Sequence, residues 1–265
     1  MKWIIPCFST FFLIGCSADD SSIPSTEKAN KQQNVIYQKG ENISSAPIQQ
    51  NHKRKTSSPE NQTLQRKSKI LLNVPLVKQN PELKYGCEIA SLTMVLQFAG
   101  KKVDKLQLAK EIKKDNDPIK RDKKGNILSW GDPDQGFVGD MSGRNAGYAV
   151  FDKPIIDLMQ KYLPGRSLNL TGKSFDAVLN QINNGQPVIV WTTGDYRLPD
   201  RWEEWKHQDE TIRTPLDLHA VVLVGYNEQS VYLNDPLSGK KSYPVKKEIF
   251  IPSWKALQKR AVSYQ

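Results

Sequence analysis

Cys87 and His219 are the residues whose types suit nucleophilic acyl transfer. An imidazole can take the thiol proton and later return it to a leaving amine. Cys87 lies in Tyr85-Gly86-Cys87-Glu88, and apolar residues follow at Ile89, Leu92, Val95, Leu96 and Ala99. That spacing predicts a helix over Glu88 to Ala99, stopped at Gly100. Unpaired amides at a helix N-terminus stabilise an anion, so a thiolate there is expected to have a depressed pKa. Gly86 is expected to allow a tight turn into the helix. The competing reading is that Cys87 is a small hydrophobe at the first core position of an amphipathic helix.

Three histidines are present. His52 lies in a polar N-terminal stretch, and His207 in a polar loop where an exposed imidazole is the default. His219 instead begins the apolar run Leu218-His219-Ala220-Val221-Val222-Leu223-Val224. A polar ring there is either a satisfied core histidine or a functional one. Asn234-Asp235-Pro236 ends the next predicted strand. If Asn227–Gln229 form the hairpin loop, Tyr226 pairs with Ser230 and Val221 with Asp235. His219 and Asp235 then share a face, two positions out of register and within reach. Asn234 is the competing orienter, expected on the other face, and Asn-Asp-Pro is also a common turn sequence.

The elements that must position these groups follow from periodicity and punctuation. Ile70 to Val77 reads as a first strand. Asp104 caps a second helix with Leu106, Leu108, Ala109 and Ile112 inward. Pro118 to Ala149 reads as a long structured loop. Asp152-Lys153-Pro154 opens a helix to Tyr162, and Ser174 opens another ending at Gly185. Pro187 to Thr193 is a β-branched strand. Asp195 to Pro215 reads as a polar loop whose Trp202 and Trp205 either pin it to the core, as aromatics in long loops usually do, or form a substrate lid. Leu218–Tyr226 and Val231–Leu233 form a hairpin, and the tail closes the sheet after a helical stretch near Trp254. Helices early and antiparallel strands late imply an α+β domain. Asp132, Asp134 and Asp140 lack calcium-loop spacing, and no His/Cys set has zinc spacing, so no metal or cofactor is expected.

The motifs resemble those of C39-like cysteine peptidases. Val74-Pro75-Leu76-Val77-Lys78-Gln79 with Tyr85-Gly86-Cys87-Glu88-Ile89-Ala90-Ser91 is similar to their catalytic start. Leu218-His219-Ala220-Val221-Val222 with Asn234-Asp235-Pro236 is similar to their His and Asp elements. Asp132-Pro133-Asp134-Gln135-Gly136-Phe137-Val138-Gly139-Asp140 resembles a segment of the lipoprotein-type branch. The resemblance spans Leu72 to the C-terminus and implies a papain-like fold over 70–265. In such a fold an N-terminal helix carrying the cysteine packs on an antiparallel sheet carrying His and Asp. It implies hydrolysis of a peptide or isopeptide bond, with Cys87 as nucleophile, His219 as general acid/base and Asp235 as orienter. Gln79 would donate its amide to the tetrahedral oxyanion. No membrane or nucleotide-binding region accompanies these motifs, so the double-glycine preference of transporter-linked relatives is not carried over. Two alternatives stand beside this reading: a peptidoglycan amidase or transpeptidase, and a non-catalytic surface binding module on the same scaffold.

The N-terminus reads as an export signal. Lys2 precedes an apolar run from Trp3 to Ile14 that ends in Leu13-Ile14-Gly15-Cys16, too short to span a bilayer. That ending resembles a bacterial lipobox, which implies a signal at 1–15, a lipidated Cys16 and a protein anchored to the outer face of the cytoplasmic membrane. An ordinary signal peptide with an incidental cysteine is the alternative. With Cys7 removed and Cys16 acylated, Cys87 is left as a lone thiol. Residues 16–69 are polar and poor in aromatics, as a disordered tether would be, and His52–Lys55 reads as a solvated charge cluster. The formal charge of +10 favours anionic lipid or wall polymer by weak, salt-sensitive attraction. Export takes the chain away from nucleic acid, leaving a peptide or protein substrate and the bilayer as the expected partners.

Overall fold

The computed structural model describes residues 67–265. The signal at 1–15, Cys16, His52–Lys55 and nearly all of the 16–69 tether therefore lie outside the described residues. In chain order the elements are β1 (Ile70–Leu71), α1 (Cys87–Phe98), α2 (Lys105–Glu111), β2 (Lys114–Asp115) and β3 (Lys120–Arg121). Next come β4 (Ile127–Ser129), β5 (Phe137–Val138), α3 (Asp152–Tyr162), β6 (Ser167–Asn169) and α4 (Phe175–Asn183). The second half holds β7 (Val188–Thr193), β8 (Trp202–His207), β9 (Glu210–Pro215) and β10 (Leu218–Tyr226). It closes with β11 (Ser230–Asn234), β12 (Tyr243–Lys246), α5 (Lys247–Ala256) and β13 (Ala261–Tyr264).

A seven-stranded antiparallel sheet runs β12-β11-β10-β7-β13-β6, with β1 added to β10. Its two central strands are apolar on both faces because both faces are covered. Ala220, Val222, Ile189 and Trp191 pack with Ile89, Leu92 and Leu96 of α1. Val221, Leu223, Val188 and Val190 pack with Val178 and Ile182 of α4 and with Phe250 and Trp254 of α5. Each fully buried side chain of this kind contributes about 1.5–3 kcal/mol. The result is the expected α+β fold, with the cysteine helix laid on the sheet that carries His219.

Several local expectations hold. Asp104 accepts the amides of Leu106 and Gln107 at 2.8 and 2.9 Å, and Ser174 accepts that of Ala177 at 3.2 Å. Gly100 (φ +82°) closes α1 with its amide on the Gln97 carbonyl. Leu106, expected inward, is instead 43 % exposed. Leu108 and Ile112 define the buried face at i, i+4, and a residue two positions before Leu108 falls on the opposite side. The first strand is shorter than Ile70–Val77. After Leu72 donates to the Val224 carbonyl the chain leaves the ladder, and the side chain of Asn234 holds the carbonyls of Val74 and Pro75 at 3.2 Å each.

The largest correction concerns Asp195–Pro215, which is not a loop. β8 and β9 form a hairpin within a second sheet ordered β3-β4-β8-β9. Trp205 and His207 are buried while Glu204 and Lys206 are exposed, so a period-two pattern was present under the polar composition. Its turn uses Gln208 at φ +52° in place of a glycine. The 118–149 segment likewise holds β3, β4 and β5.

Candidate active site

Cys87 opens α1, with Gly86 as N-cap and no side-chain cap. Glycine is needed at 86 for close approach, since an added Cβ would stand 2.6 Å from the Leu83 Cβ. The Cys87 thiol lies 3.3 Å from Glu88 Oε2, to which it donates, and the Ala220 amide donates to Sγ at 3.4 Å. The sulfur therefore sits in the hydrogen-bonding direction of β10, on a stretch beyond the last β11 pair, Val222 with Asn234. The thiol's partners among the described residues are Glu88 and Ala220, not His219.

His219 and Asp235 meet as the hairpin reading expected, by a different route. At the tip Tyr226 pairs with Val231, not Ser230, one residue off the expected register. A bulge between Leu223 and Gly225 then absorbs one residue, and Val222 pairs with Asn234, which restores the offset assumed for Val221 and Asp235. His219 Nε2 lies 2.8 Å from Asp235 Oδ1. An ionised carboxylate can only accept, so Nε2 carries the proton and Nδ1 is left as the basic nitrogen. Asp235 is itself held by the Tyr196 hydroxyl at 2.8 Å, the Ser238 hydroxyl at 2.6 Å and the Leu237 amide at 2.8 Å. Burial would raise its carboxyl, but the bonds from His219, Ser238 and Tyr196 hold it well below the usual range. Asn234, the competing orienter, is engaged elsewhere: it donates to Val74 and Pro75 and accepts the Ser242 amide.

Gln79 lies on the third side. Its side-chain nitrogen donates to the Lys84 carbonyl at 2.6 Å, which uses one of two N–H bonds. Its backbone amide reaches the Pro236 carbonyl at 3.0 Å, tying this segment to the turn after Asp235. Lys105 clamps the same loop through the carbonyls of Lys78 and Gln79, at 2.6 and 3.0 Å, and through Glu82 at 2.6 Å. Gln79, Cys87, Tyr148 and His219 line one cavity of about 330 Å³, with Leu218 and Leu237 at its apolar side.

The charge state of the thiol departs from expectation. Burial pushes the Cys87 thiol well up, and the Glu88 carboxylate adds to it; the amides of Ala220 and Glu88 act in the opposite sense. Desolvation outweighs the helix N-terminus in this arrangement. Glu88 is fully buried, and burial raises it to about 7 against the amides of Glu88 and Val150.

Other residues singled out by composition have structural employment. His207, expected exposed, is 4 % exposed, with Nε2 3.1 Å from Asp115 and 3.4 Å from Asp117. The three could offer ligand atoms within 4.8 Å of one another, yet Asp115 also accepts the amides of Asp117 and Asp132. Asp132 accepts the Asp134 amide, Asp134 and Asp152 pair with Arg260, and Asp140 holds Ser142 and Asn145. Trp205 does pin its segment, donating to the Gly131 carbonyl and packing edge-on against Tyr148. Glu88, Tyr148, Tyr196 and Ser238 also border the site, without a mark in the sequence. An acid in the first turn of a helix is ordinarily a solvated partner of the helix dipole, and nothing in sequence marks Tyr196, held at φ +67°, as a neighbour of Asp235.

Against known proteins, the sequence model of the Peptidase_C39 like family matches residues 71–262. The Bacillus subtilis protein YvpB, itself uncharacterized, is 37% identical over 185 residues, 70% of this chain and 71% of its own. A crystal structure from Bacillus anthracis, provisionally named a C39-like peptidase, is 37% identical with a TM-score of 0.69. It aligns over 75% of this chain and 98% of its own.

Proposed function

This chain belongs to the Peptidase_C39 like family, and from that premise we propose that it is a cysteine peptidase hydrolysing a peptide or isopeptide bond. Cys87 is the nucleophile, His219 the general acid/base, Asp235 its orienter and Gln79 an oxyanion donor. The observation that carries the reading is one cavity lined by Gln79, Cys87 and His219, with His219 already fixed by Asp235 at 2.8 Å. His219 Nδ1 takes the thiol proton and the sulfur attacks the substrate carbonyl. The oxyanion receives the second N–H of Gln79. His219 then protonates the departing amine, and water, deprotonated by the same imidazole, hydrolyses the thioester. The export signal and the acylated Cys16 complete the proposal as a surface lipoprotein, with a peptide or protein substrate at the outer face of the membrane. Labelled palmitate should enter the protein and be lost in Cys16→Ala; unchanged labelling removes the anchor from the proposal.

One observation favours the non-catalytic alternative: the thiol rests on Glu88 with its proton held on. An electrophilic peptide label separates the two. Cys87 should be modified, His219→Ala should suppress that modification, and a peptide library should return defined cut sites by mass spectrometry. Equal labelling of both forms together with an uncut library would leave the binding module as the better reading.

A further inference from the structure

Glu88 follows the nucleophile directly, and its carboxylate bridges two things that matter to it. Oε2 receives the Cys87 thiol at 3.3 Å, and Oε1 receives the Val150 amide at 3.2 Å. Val150 is fixed from its other side, since its carbonyl accepts the Trp191 indole at 3.1 Å. The carboxylate is thus locked in place at full burial, and no cation pairs with it among the described residues. A surface acid at a helix start has neither feature. The titratable groups coupled to it are the Cys87 thiol on its own helix, which it contacts, and Tyr148 on the segment before α3, whose hydroxyl is bonded to Thr214 and Pro215 and is pushed up by burial and in part by the Glu88 charge. His219 on β10 lines the adjoining cavity, and Asp217, before β10, acts on Tyr148 rather than on Glu88.

We propose that Glu88 is a positioning residue for the nucleophile: ionised, it retains the Cys87 thiol as its donor, and protonated, it releases the sulfur proton to His219. This rests on the peptidase reading above and adds its regulation. The protons balance as follows. Glu88 takes one from solvent and becomes a donor, the thiol proton passes to His219 Nδ1, and the Glu88 O–H then supports the thiolate. An adjacent negative charge disfavours a second one, whereas a hydrogen-bond donor favours it, so the two states of Glu88 act on the sulfur in opposite directions. Burial holds the Glu88 transition near pH 7, where an ordinary glutamate would have ionised fully. The thiolate–imidazolium pair is therefore favoured on the acid side of neutrality, and the thiol on the alkaline side.

The test is the alkylation rate of Cys87 by iodoacetamide between pH 5 and 9, read on the Cys87 peptide by mass spectrometry in the full chain. Three proteins are compared: wild type, Glu88→Gln and His219→Ala. Glutamine keeps the acceptor for Val150 and places a permanent donor toward the sulfur. Glu88→Gln should react about tenfold faster than wild type at pH 8, the effect of roughly one unit in thiol pKa, and the two should converge at pH 5.5. Wild type should show an inflection near pH 7 that Glu88→Gln lacks and His219→Ala keeps. Superimposable profiles for wild type and Glu88→Gln, with His219→Ala still slow, would overturn the role of Glu88 and leave the peptidase reading intact. Unchanged alkylation in His219→Ala would overturn the transfer to the imidazole along with that reading. Should Glu88→Gln not fold, the His219→Ala profile decides alone, and the absence of an inflection near pH 7 there overturns the proposal.

Discussion

β10 of the central sheet is buried from His219 to Tyr226, whereas β8 of the lateral sheet buries only Trp205 and His207. β10 lines the cavity through Leu218 and His219, while β8 only supports its Tyr148 wall through Trp205. The central strand is held by apolar packing on two faces, which fixes its register because a slip would expose a whole row of side chains. The lateral hairpin is held by an aromatic cluster, Trp130, Tyr148 and Trp205, and by the His207 contacts beside its turn. Chemistry that needs a carboxylate within hydrogen-bond reach of an imidazole sits on the first kind of support. The cavity wall formed by Tyr148 depends on the second.

Paired truncations would break or sharpen that contrast most. Trp191→Ala removes a fully buried ring from the central sheet and should cost about 5 kcal/mol, the upper end for such changes. Trp205→Ala should cost about 3 kcal/mol, because the lateral sheet can relax toward solvent. Urea unfolding of both variants checks this, and equal losses would mean the two sheets are one cooperative unit of equal rigidity. Next in size, Gln79→Ala should lower turnover by about 100-fold or more with little change in unfolding midpoint, as loss of an oxyanion donor does. A comparable fall in stability would make Gln79 a structural member of the turn it shares with Pro236. The smallest effect is expected at the exposed pair Glu204–Arg213, 2.9 Å apart on the lateral hairpin. Glu204→Gln should move the unfolding free energy by less than about 1 kcal/mol. A larger shift would show that the hairpin depends on its surface charges as well as on its aromatic cluster.

Legibility followed the same division. Leu218–Tyr226 was readable because sustained burial demands an unbroken apolar run, and α1, α3 and α4 were readable from spacing and caps. The β8–β9 hairpin was not, because half-burial leaves Trp-Glu-Glu-Trp-Lys-His looking polar and its turn lacks glycine or asparagine. The pairing of His219 with Asp235 was inferred from a loop length that is off by one at the tip, and the bulge compensates. The offset between His219 and Asp235 was therefore right for a reason the sequence did not display, while the second strand runs one residue further at each end than Val231–Leu233. The Cys87 thiol is raised instead of depressed, because the loss of solvent around the sulfur and the buried Glu88 charge outweigh what a helix N-terminus alone supplies.

Residue order by itself determined which groups are present and roughly which element bears each: a thiol at a helix start, an imidazole at a strand start and a carboxylate one strand on. Periodicity and caps are local properties, carried within a turn or a hairpin. Folding decided what surrounds them, including the second bonds to Asp235 from Tyr196 and Ser238, the anchoring of Gln79 on Lys84, and the burial of Glu88 against Val150. The contacts of Tyr196 with Asp235 and of Val150 with Glu88 join segments distant along the chain, and charge states depend on the solvent that such contacts exclude, which no local pattern encodes.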